Sequence, residues 1–368
     1  MRERVFTAFP EFRRAKYPGP RPAKPKLDSH LAPSPCTHYP TPVRTLLLIA
    51  LTLLSATSLQ ACRPLDGAVD KVEDARDRND GPAIWLVTDD DSRLYLYGTL
   101  HIIPAGLDWQ RDDMWNAFMS AGTVWFETPS DNATRIRTDA LTRSRGFLPL
   151  GERLSDGFDD YETRLLEVAA LSADIPYDFL DTLQPWLASE LLTVAAAEKA
   201  NLSSRISADE ALKSRARRTA KFTAYLDTPD QQFALSADAP RDTQLATLRS
   251  TLERYNRIAP ELEAIATEWV KGDADTLATR LAASITGATR QTLMTDRNAR
   301  WADTLTNWMQ GPGTGFAAVG IGHLVGEDSL PDMLSERGFT VRRFYAFQGE
   351  NLIRTQELEV DTGGDPTP

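Results

Sequence analysis

Cysteine is nearly absent from this chain, with two in 368 residues, Cys36 and Cys62. That is too few for a disulfide scaffold or a Cys-rich zinc site. Histidine is scarce as well, at four. Nor is there an excess of positive charge, because 41 Lys and Arg stand against 52 Asp and Glu, a net charge of −11. A nucleic-acid binder needs a basic footprint to displace counterions from phosphate, so no nucleic-acid partner is expected. There is no His-Glu-x-x-His, no Gly-x-Ser-x-Gly and no P-loop. Gly320-Ile-Gly-His-Leu-Val-Gly326 has one residue too many for a dinucleotide fingerprint. No repeat of fixed short period appears. What is present, 42% hydrophobic and 25% charged, is the balance of a globular protein with ample core, one large domain or two small ones.

Residues 1–61 read as a signal region rather than fold. Up to Val43 they are rich in Pro and basic residues without apolar periodicity. Arg44 then precedes a short apolar stretch, Thr45 to Leu59, and Gln60-Ala61-Cys62. A positive residue, a short apolar core and a small residue before the cut form the secretion pattern, and the stretch is short for a membrane span. Leu59-Gln-Ala-Cys62 resembles a bacterial lipobox, in which Cys62 is lipidated and begins the mature chain. The other reading is a soluble secreted protein cut near Ala61. The basic stretch before Arg44 is long for a signal, and a valine codon can start bacterial translation. Translation from Val43 is therefore expected, leaving 1–42 untranslated; an extended signal region is the alternative. Residues 1–61 hold nine basic and three acidic residues, so removing them takes the net charge to −17. Two histidines then remain, His101 and His323.

Residues 62–82 are charged, lack periodicity and read as a tether between lipid and domain. A domain is expected over 83–346 and a tail over 347–368, loose in its distal part. Ala83–Thr88 and Arg93–Gly98 are short β-branched or aromatic runs flanking a turn, which predicts a hairpin. A short helix spans Trp115 to Met119 and a third strand Thr123–Glu127. The middle is helical: Tyr161, Leu165, Leu166 and Ala169 recur at helical spacing, and Pro185 suits the first turn of a helix running to about Ala200. Lys221–Leu226 predicts a strand within it. Ile258, Leu262, Ile265 and Trp269 define one amphipathic helix, and Leu293, Trp301, Leu305 and Trp308 a longer one, broken at Gly311. Strand 316–321, helix 330–337 and strand 339–344 close the domain, a unit that implies parallel pairing. The expected fold is α/β, a mixed β-sheet built from N- and C-terminal segments with a large helical middle region.

Both remaining histidines sit in one context. Gly98-Thr-Leu-His101 follows one strand, and Gly320-Ile-Gly-His323 ends another. Glycine at 98 and 320 permits close backbone approach to a ligand, and strand ends of α/β sheets are where ligands bind. Glu127 ends a third strand. Two imidazoles and a carboxylate with an open position are a set in which a metal activates water or polarises a carbonyl. Taken singly, each histidine is as readily a satisfied imidazole and Glu127 a surface acid; the shared motif favours function. Arg297 falls on the buried stripe of its helix, with Asn298 beside it, and must meet a carboxylate or a substrate oxygen.

Tyr97-Gly-Thr-Leu-His-Ile-Ile-Pro104, Trp125-Phe-Glu127, Gln184-Pro-Trp186, Asp296-Arg-Asn-Ala-Arg-Trp301 and Ala318-Val-Gly-Ile-Gly-His-Leu-Val-Gly-Glu-Asp328 together resemble the TraB/GumN family. That family is similar to the Tiki proteins, membrane-tethered metalloproteases, and to the ChaN and erythromycin-esterase fold group. The resemblance covers about residues 83–346. It implies a divalent metal (Mn, Co or Zn) at His101, His323 and Glu127, and a role for Arg297 and Asn298. The chain departs from the family pattern at Ile206-Ser-Ala-Asp209, where Gly-Val-Asp is expected, and at Asp227 and Asp296, each in place of Glu.

The expectation is a metal-dependent hydrolase, most readily a peptidase, anchored by Cys62 to the periplasmic side of a bacterial outer membrane. Its substrate would be a peptide or another small envelope molecule. Glu127, Arg297 and Asn298 are the candidate catalytic residues, the last two for the oxyanion, and Asp209 is a weak candidate base. The alternative is a non-catalytic lipoprotein that binds a ligand or haem in the same cleft, or serves polysaccharide export.

Overall fold

The computed structural model describes residues 81–203, 207–284 and 287–344. The signal region 1–61, the lipidation site Cys62, the tether up to residue 80, Ile206 and the tail 347–368 lie outside the described residues.

The expected hairpin forms. Strand β1 (Ile84–Thr88) pairs antiparallel with β2 (Ser92–Thr99), and the Asp89 carboxylate closes the turn by accepting from the Ser92 N–H at 2.7 Å. A short strand β3 (Ile103–Pro104) and helix α1 (Asp112–Ser120) follow. Strand β4 (Thr123–Phe126) leads to helices α2 (Asn132–Arg145), α3 (Asp160–Ala173) and α4 (Tyr177–Leu180). Pro185 opens α5 (Pro185–Lys199), where its missing N–H costs no helical bond. Strand β5 (Leu202–Ser203) pairs with β3 alone. Next come α6 (Ala208–Arg218) and β6 (Phe222–Tyr225), then α7 (Pro229–Ala237), α8 (Arg241–Glu253), α9 (Tyr255–Val270) and α10 (Ala274–Ser284). The short α11 (Gly287–Arg290) runs through a π-helical turn, Gln291–Thr295, into α12 (Asp296–Met309). Strand β7 (Gly313–Gly320), α13 (Leu330–Glu336) and β8 (Thr340–Phe344) complete the described chain.

Six strands form one mixed sheet in the order β6-β4-β7-β2-β1-β8. Five come from the terminal segments; β6, the strand expected within the helical middle, joins at the edge beside β4. The expected parallel pairing of the last two strands does not occur. β7 lies between β4 and β2, whereas β8 pairs antiparallel with β1 on the far edge. Their directions agree, but β2 and β1 lie between them, because the hairpin takes the place next to β7.

Strands β6, β4, β7 and β2 are mutually parallel, so their C-terminal ends open on one side. Both faces of β7 are covered, and its burial is continuous from Gly315 to Gly320. Helices α1 and α6 pack on β7, α6 also on β4, and α12 on β2. One hydrophobic cluster centres on this sheet, including Phe118, Phe126, Trp301 and Phe316. A second lies among α3, α5, α8 and α9, including Leu166, Trp186, Leu192 and Leu248. Among the described residues no helix is long and apolar enough to cross a membrane.

Candidate active site

Each of the four parallel strands delivers a polar residue just beyond its C-terminal end: His101 after β2, Glu127 after β4, Asp227 after β6 and His323 after β7. This is the edge at which open α/β sheets bind ligands. The register brings the two histidine motifs together, since Gly98 lies opposite Val319 and Thr99 opposite Gly320 on adjacent strands.

The two motif glycines do different work. A Cβ on Gly320 would stand 3.2 Å from Glu127 Oε1 and 4.0 Å from His101 Nε2, so its bareness keeps the centre open. The Gly320 N–H donates to Glu127 Oε1 at 2.7 Å. A Cβ on Gly98 would instead strike Ile321 Cδ1 at 2.3 Å, a packing constraint behind the site.

Arg297 is the hub, 1% exposed in the first turn of α12. Nη2 donates to Glu127 Oε2 at 2.7 Å and to Gln232 Oε1 at 3.0 Å. Nε donates to Asp227 Oδ2 at 2.9 Å. Nη1 donates to the Leu293 carbonyl at 3.4 Å and to His323 Nε2 at 3.0 Å. The guanidinium also lies 4.4 Å from the centre of the Trp301 ring. Every N–H of the guanidinium thus has an acceptor. Arg297 therefore has no donor left for an oxyanion, and the expected oxyanion role is not met by this arrangement. A π-helical turn directly before α12 places the Leu293 carbonyl under the guanidinium, so the stripe drawn from Leu293 to Leu305 is not one regular helix.

Asn298 is likewise committed. Its Oδ1 accepts from His323 Nδ1 at 2.7 Å, and its Nδ2 donates to the Asp328 carbonyl at 2.8 Å. An amide oxygen only accepts, so His323 carries its proton on Nδ1 and presents the Nε2 lone pair to Arg297. Asn298 positions His323 rather than facing a substrate, a second departure from the oxyanion expectation.

The charge states follow. Burial, the largest single influence, would raise the Glu127 carboxyl, but Arg297 together with His323, His101 and the Gly320 N–H outweighs it and holds the carboxyl well below the usual carboxylate range. Burial pushes His323 down to about 3, with the Arg297 charge adding and Glu127 opposing, so it is neutral. His101 completes the cluster: Nε2 lies 4.0 Å from Glu127 Oε1, buried and without a hydrogen-bond partner among the described residues. Its Nδ1 is 3.9 Å from Asp209 Oδ2, and that oxygen is paired with Lys213 Nζ at 2.7 Å. Burial, the largest single influence, would lower the Lys213 ammonium, but Asp209 with Glu210 and Glu127 outweighs it and raises it. Asp209, the weak candidate base, is thus one partner of a buried ion pair that flanks His101.

All of His101, Glu127, Asp209, Arg297, Asn298 and His323 converge here. Sequence reasoning missed Lys213, Gln232 and the part played by Asp227. Lys213 had a visible signal, four residues after Asp209 on one helix. Asp227 had another, since it follows β6 as Glu127 follows β4, and its N–H donates to the Glu127 carbonyl at 2.8 Å. Gln232 carried none.

Whether the residues suit a divalent ion rests on the donor atoms. The orphaned His101 Nε2 beside the ionised Glu127, over the bare Gly320, is a cradle of the right chemistry. Among the described residues no three His, Cys, Asp or Glu side chains form a ready cage. The reason is local, because Arg297 already holds the His323 Nε2 lone pair. His101 and Glu127 fit an ion as they stand, and His323 fits once that contact is exchanged.

The fold and site define an α/β protein with a buried His/Glu/Arg centre at the carboxyl edge of parallel strands. Residues 83–343 match the model of the TraB/PrgY/gumN family, and the chain belongs to that family. It is also 26% identical over 205 residues to the uncharacterized protein YbaP of Escherichia coli (strain K12), covering 55% of this chain and 76% of that one. The YbaP of Shigella flexneri matches over the same shares. No solved structure matches the chain.

Proposed function

We propose that the chain is a metal-assisted hydrolase acting on a carbonyl substrate, with a peptide as the substrate class. The observation that carries this reading is the buried, unpartnered His101 Nε2, 4.0 Å from an ionised carboxylate that a neighbouring guanidinium keeps ionised. His101, Glu127 and His323 would hold a divalent ion, which would supply Lewis-acid polarisation of the substrate carbonyl. Arg297 keeps Glu127 charged and His323 neutral, the states in which both side chains ligate. Asn298 fixes the His323 tautomer, as an outer partner of a ligand histidine does. The lipobox-like Leu59-Gln-Ala-Cys62 supports lipid anchoring at Cys62 and, with the signal pattern, a place on the periplasmic face of the outer membrane.

The Arg297–His323 contact favours a second reading, a module that binds its ligand without turnover, since the site is electrostatically closed around Glu127 without an added ion. Metal content of the purified chain separates the two. With Mn, Co and Zn each supplied, the hydrolase reading expects one ion per chain, lost in His101→Ala and in His323→Ala while both variants keep their circular dichroism. Peptidase activity should follow the ion. A wild-type chain that stays empty with all three metals overturns the hydrolase and leaves the binding module.

A further inference from the structure

A pocket of about 40 Å³ lies against the centre itself, with His101, Gly320 and His323 in its wall. Of the three side chains proposed to hold an ion, His101 is the one within reach of solvent. Its side chain is 19% exposed, whereas Glu127 and His323 are buried. A substrate group that comes to the centre on the His101 side therefore meets this pocket.

The walls say what enters. Leu262 and Ile265 of α9, Leu281 of α10 and Met294 of the π-helical turn also line it. Among the described residues no Asp, Glu, Lys or Arg does. A charged side chain placed there would give up its water without gaining a partner. Size excludes more. A cavity that holds benzene has about 150 Å³, and a single water needs about 10–15 Å³. The pocket thus admits a few carbon atoms and no aromatic ring.

The sequence itself keeps this space open. The two histidine motifs differ at the residue before the histidine, Leu100 in one and Gly322 in the other. Gly322 lies in a 3₁₀ turn, Ile321–His323, and its φ is not positive, so the backbone there does not require glycine. Its bare face meets the pocket walls instead. A Cβ would stand 3.3 Å from Met294 Cε and 3.7 Å from Leu281 Cδ1. A methyl at 322 would take up room between those two side chains. Met294, an unbranched thioether, is the wall best able to adjust.

We propose that this pocket receives the side chain next to the scissile bond, that it takes a small aliphatic one, valine or alanine, and that Gly322 and Met294 set its size. The subsite rests on the hydrolase reading above.

Titration of the full chain with N-acetyl-L-valinamide, N-acetyl-L-alaninamide, N-acetyl-L-phenylalaninamide and N-acetyl-L-lysinamide, followed by the NMR signals of the ligands with and without Zn, tests this without turnover. The valyl amide should bind at least about tenfold more tightly than the phenylalanyl and lysyl amides. Gly322→Ala should weaken the valyl amide about tenfold and the alanyl amide little. Met294→Ala, which widens the pocket, should bring the phenylalanyl amide level with the valyl amide. Thermal unfolding checks that each variant folds, and because the two shift the preference in opposite senses, either one suffices. No binding of any amide, equal binding of all four, preference for the phenylalanyl or lysyl amide, or a preference that the folded variants leave unchanged overturns the subsite. A chain that holds its ion and cleaves peptides without this preference overturns the subsite alone. One that shows the preference yet takes no ion and cleaves nothing overturns the hydrolase alone.

Discussion

Arg297 does at the residue scale what a hydrophobic core cannot do. It is 1% exposed and touches two carboxylates and an imidazole that are themselves buried. Removing it strands the Glu127 charge in a low dielectric and leaves Asp227 only its 3.3 Å contact with Arg300. Breaking such a buried pair costs on the order of 3–5 kcal/mol. Arg297→Met should therefore lower the urea midpoint by that equivalent. Arg297→Lys should recover little of it, because an ammonium cannot reach Asp227, Glu127, Gln232 and His323 in one planar fork. Adding Glu127→Gln to Arg297→Met should restore part of the loss, since the second change removes the stranded charge. If Arg297→Met unfolds within about 1 kcal/mol of wild type, the network is not what holds these carboxylates in place.

At the scale of elements, the two Gly-x-x-His motifs look alike in sequence and differ in purpose. Gly98→Ala would drive a Cβ to 2.3 Å from Ile321 Cδ1 and 3.2 Å from the Ile321 Cα, so the Ile321 side chain must move and the backbone just after β7 must give slightly. Overpacking of this kind costs roughly 1–3 kcal/mol. Ile321→Val removes the closest atom and should relieve part of the loss in a double-mutant cycle; strict additivity would show that the contact is not responsible. Gly320→Ala meets a carboxylate oxygen at 3.2 Å instead, so metal uptake should suffer more than stability. The motifs were legible before the structure because short apolar runs ending in glycine mark strand ends by local pattern alone. Strand order was not legible, since the insertion of β2 and β1 between β7 and β8 is decided by long-range pairing. Helix α6 escaped notice for a different reason. Two of its five buried residues, Asp209 and Lys213, are charged, and their mutual ion pair hides the apolar stripe that periodicity looks for. That Arg297 would meet Asp227 and Gln232 was not legible, because both lie far away in the chain and only the edge position of β6 and the start of α7 bring them to it.

Across the whole molecule, stability depends on two clusters of core, one on the sheet and one among α3, α5, α8 and α9, and the second contains a buried acid that the proposed chemistry does not use. Glu190 lies on α5, 4% exposed, with a hydrogen bond to Ser236 and Oε1 without a partner among the described residues. Burial pushes its carboxyl up to about 8, with the Ser236 contact opposing. Between the ordinary glutamate value and about 8, the folded chain thus keeps a proton that the unfolded chain has released. The stabilising effect of this neutral acid is complete below the unfolded value and is lost as pH rises through the folded one, at up to about 1.4 kcal/mol per pH unit. Glu190→Gln keeps the shape and cannot ionise. Other groups titrate alike in both proteins, so the difference in unfolding free energy isolates this one side chain. That difference should move steadily in favour of the variant from about pH 5 to pH 8 and level off above it, whatever offset the new amide introduces. Urea unfolding of both proteins across that range measures it. A difference that stays flat with pH would mean that Glu190 is ionised in the folded chain, and that the helical core tolerates an unpaired carboxylate that burial should have neutralised.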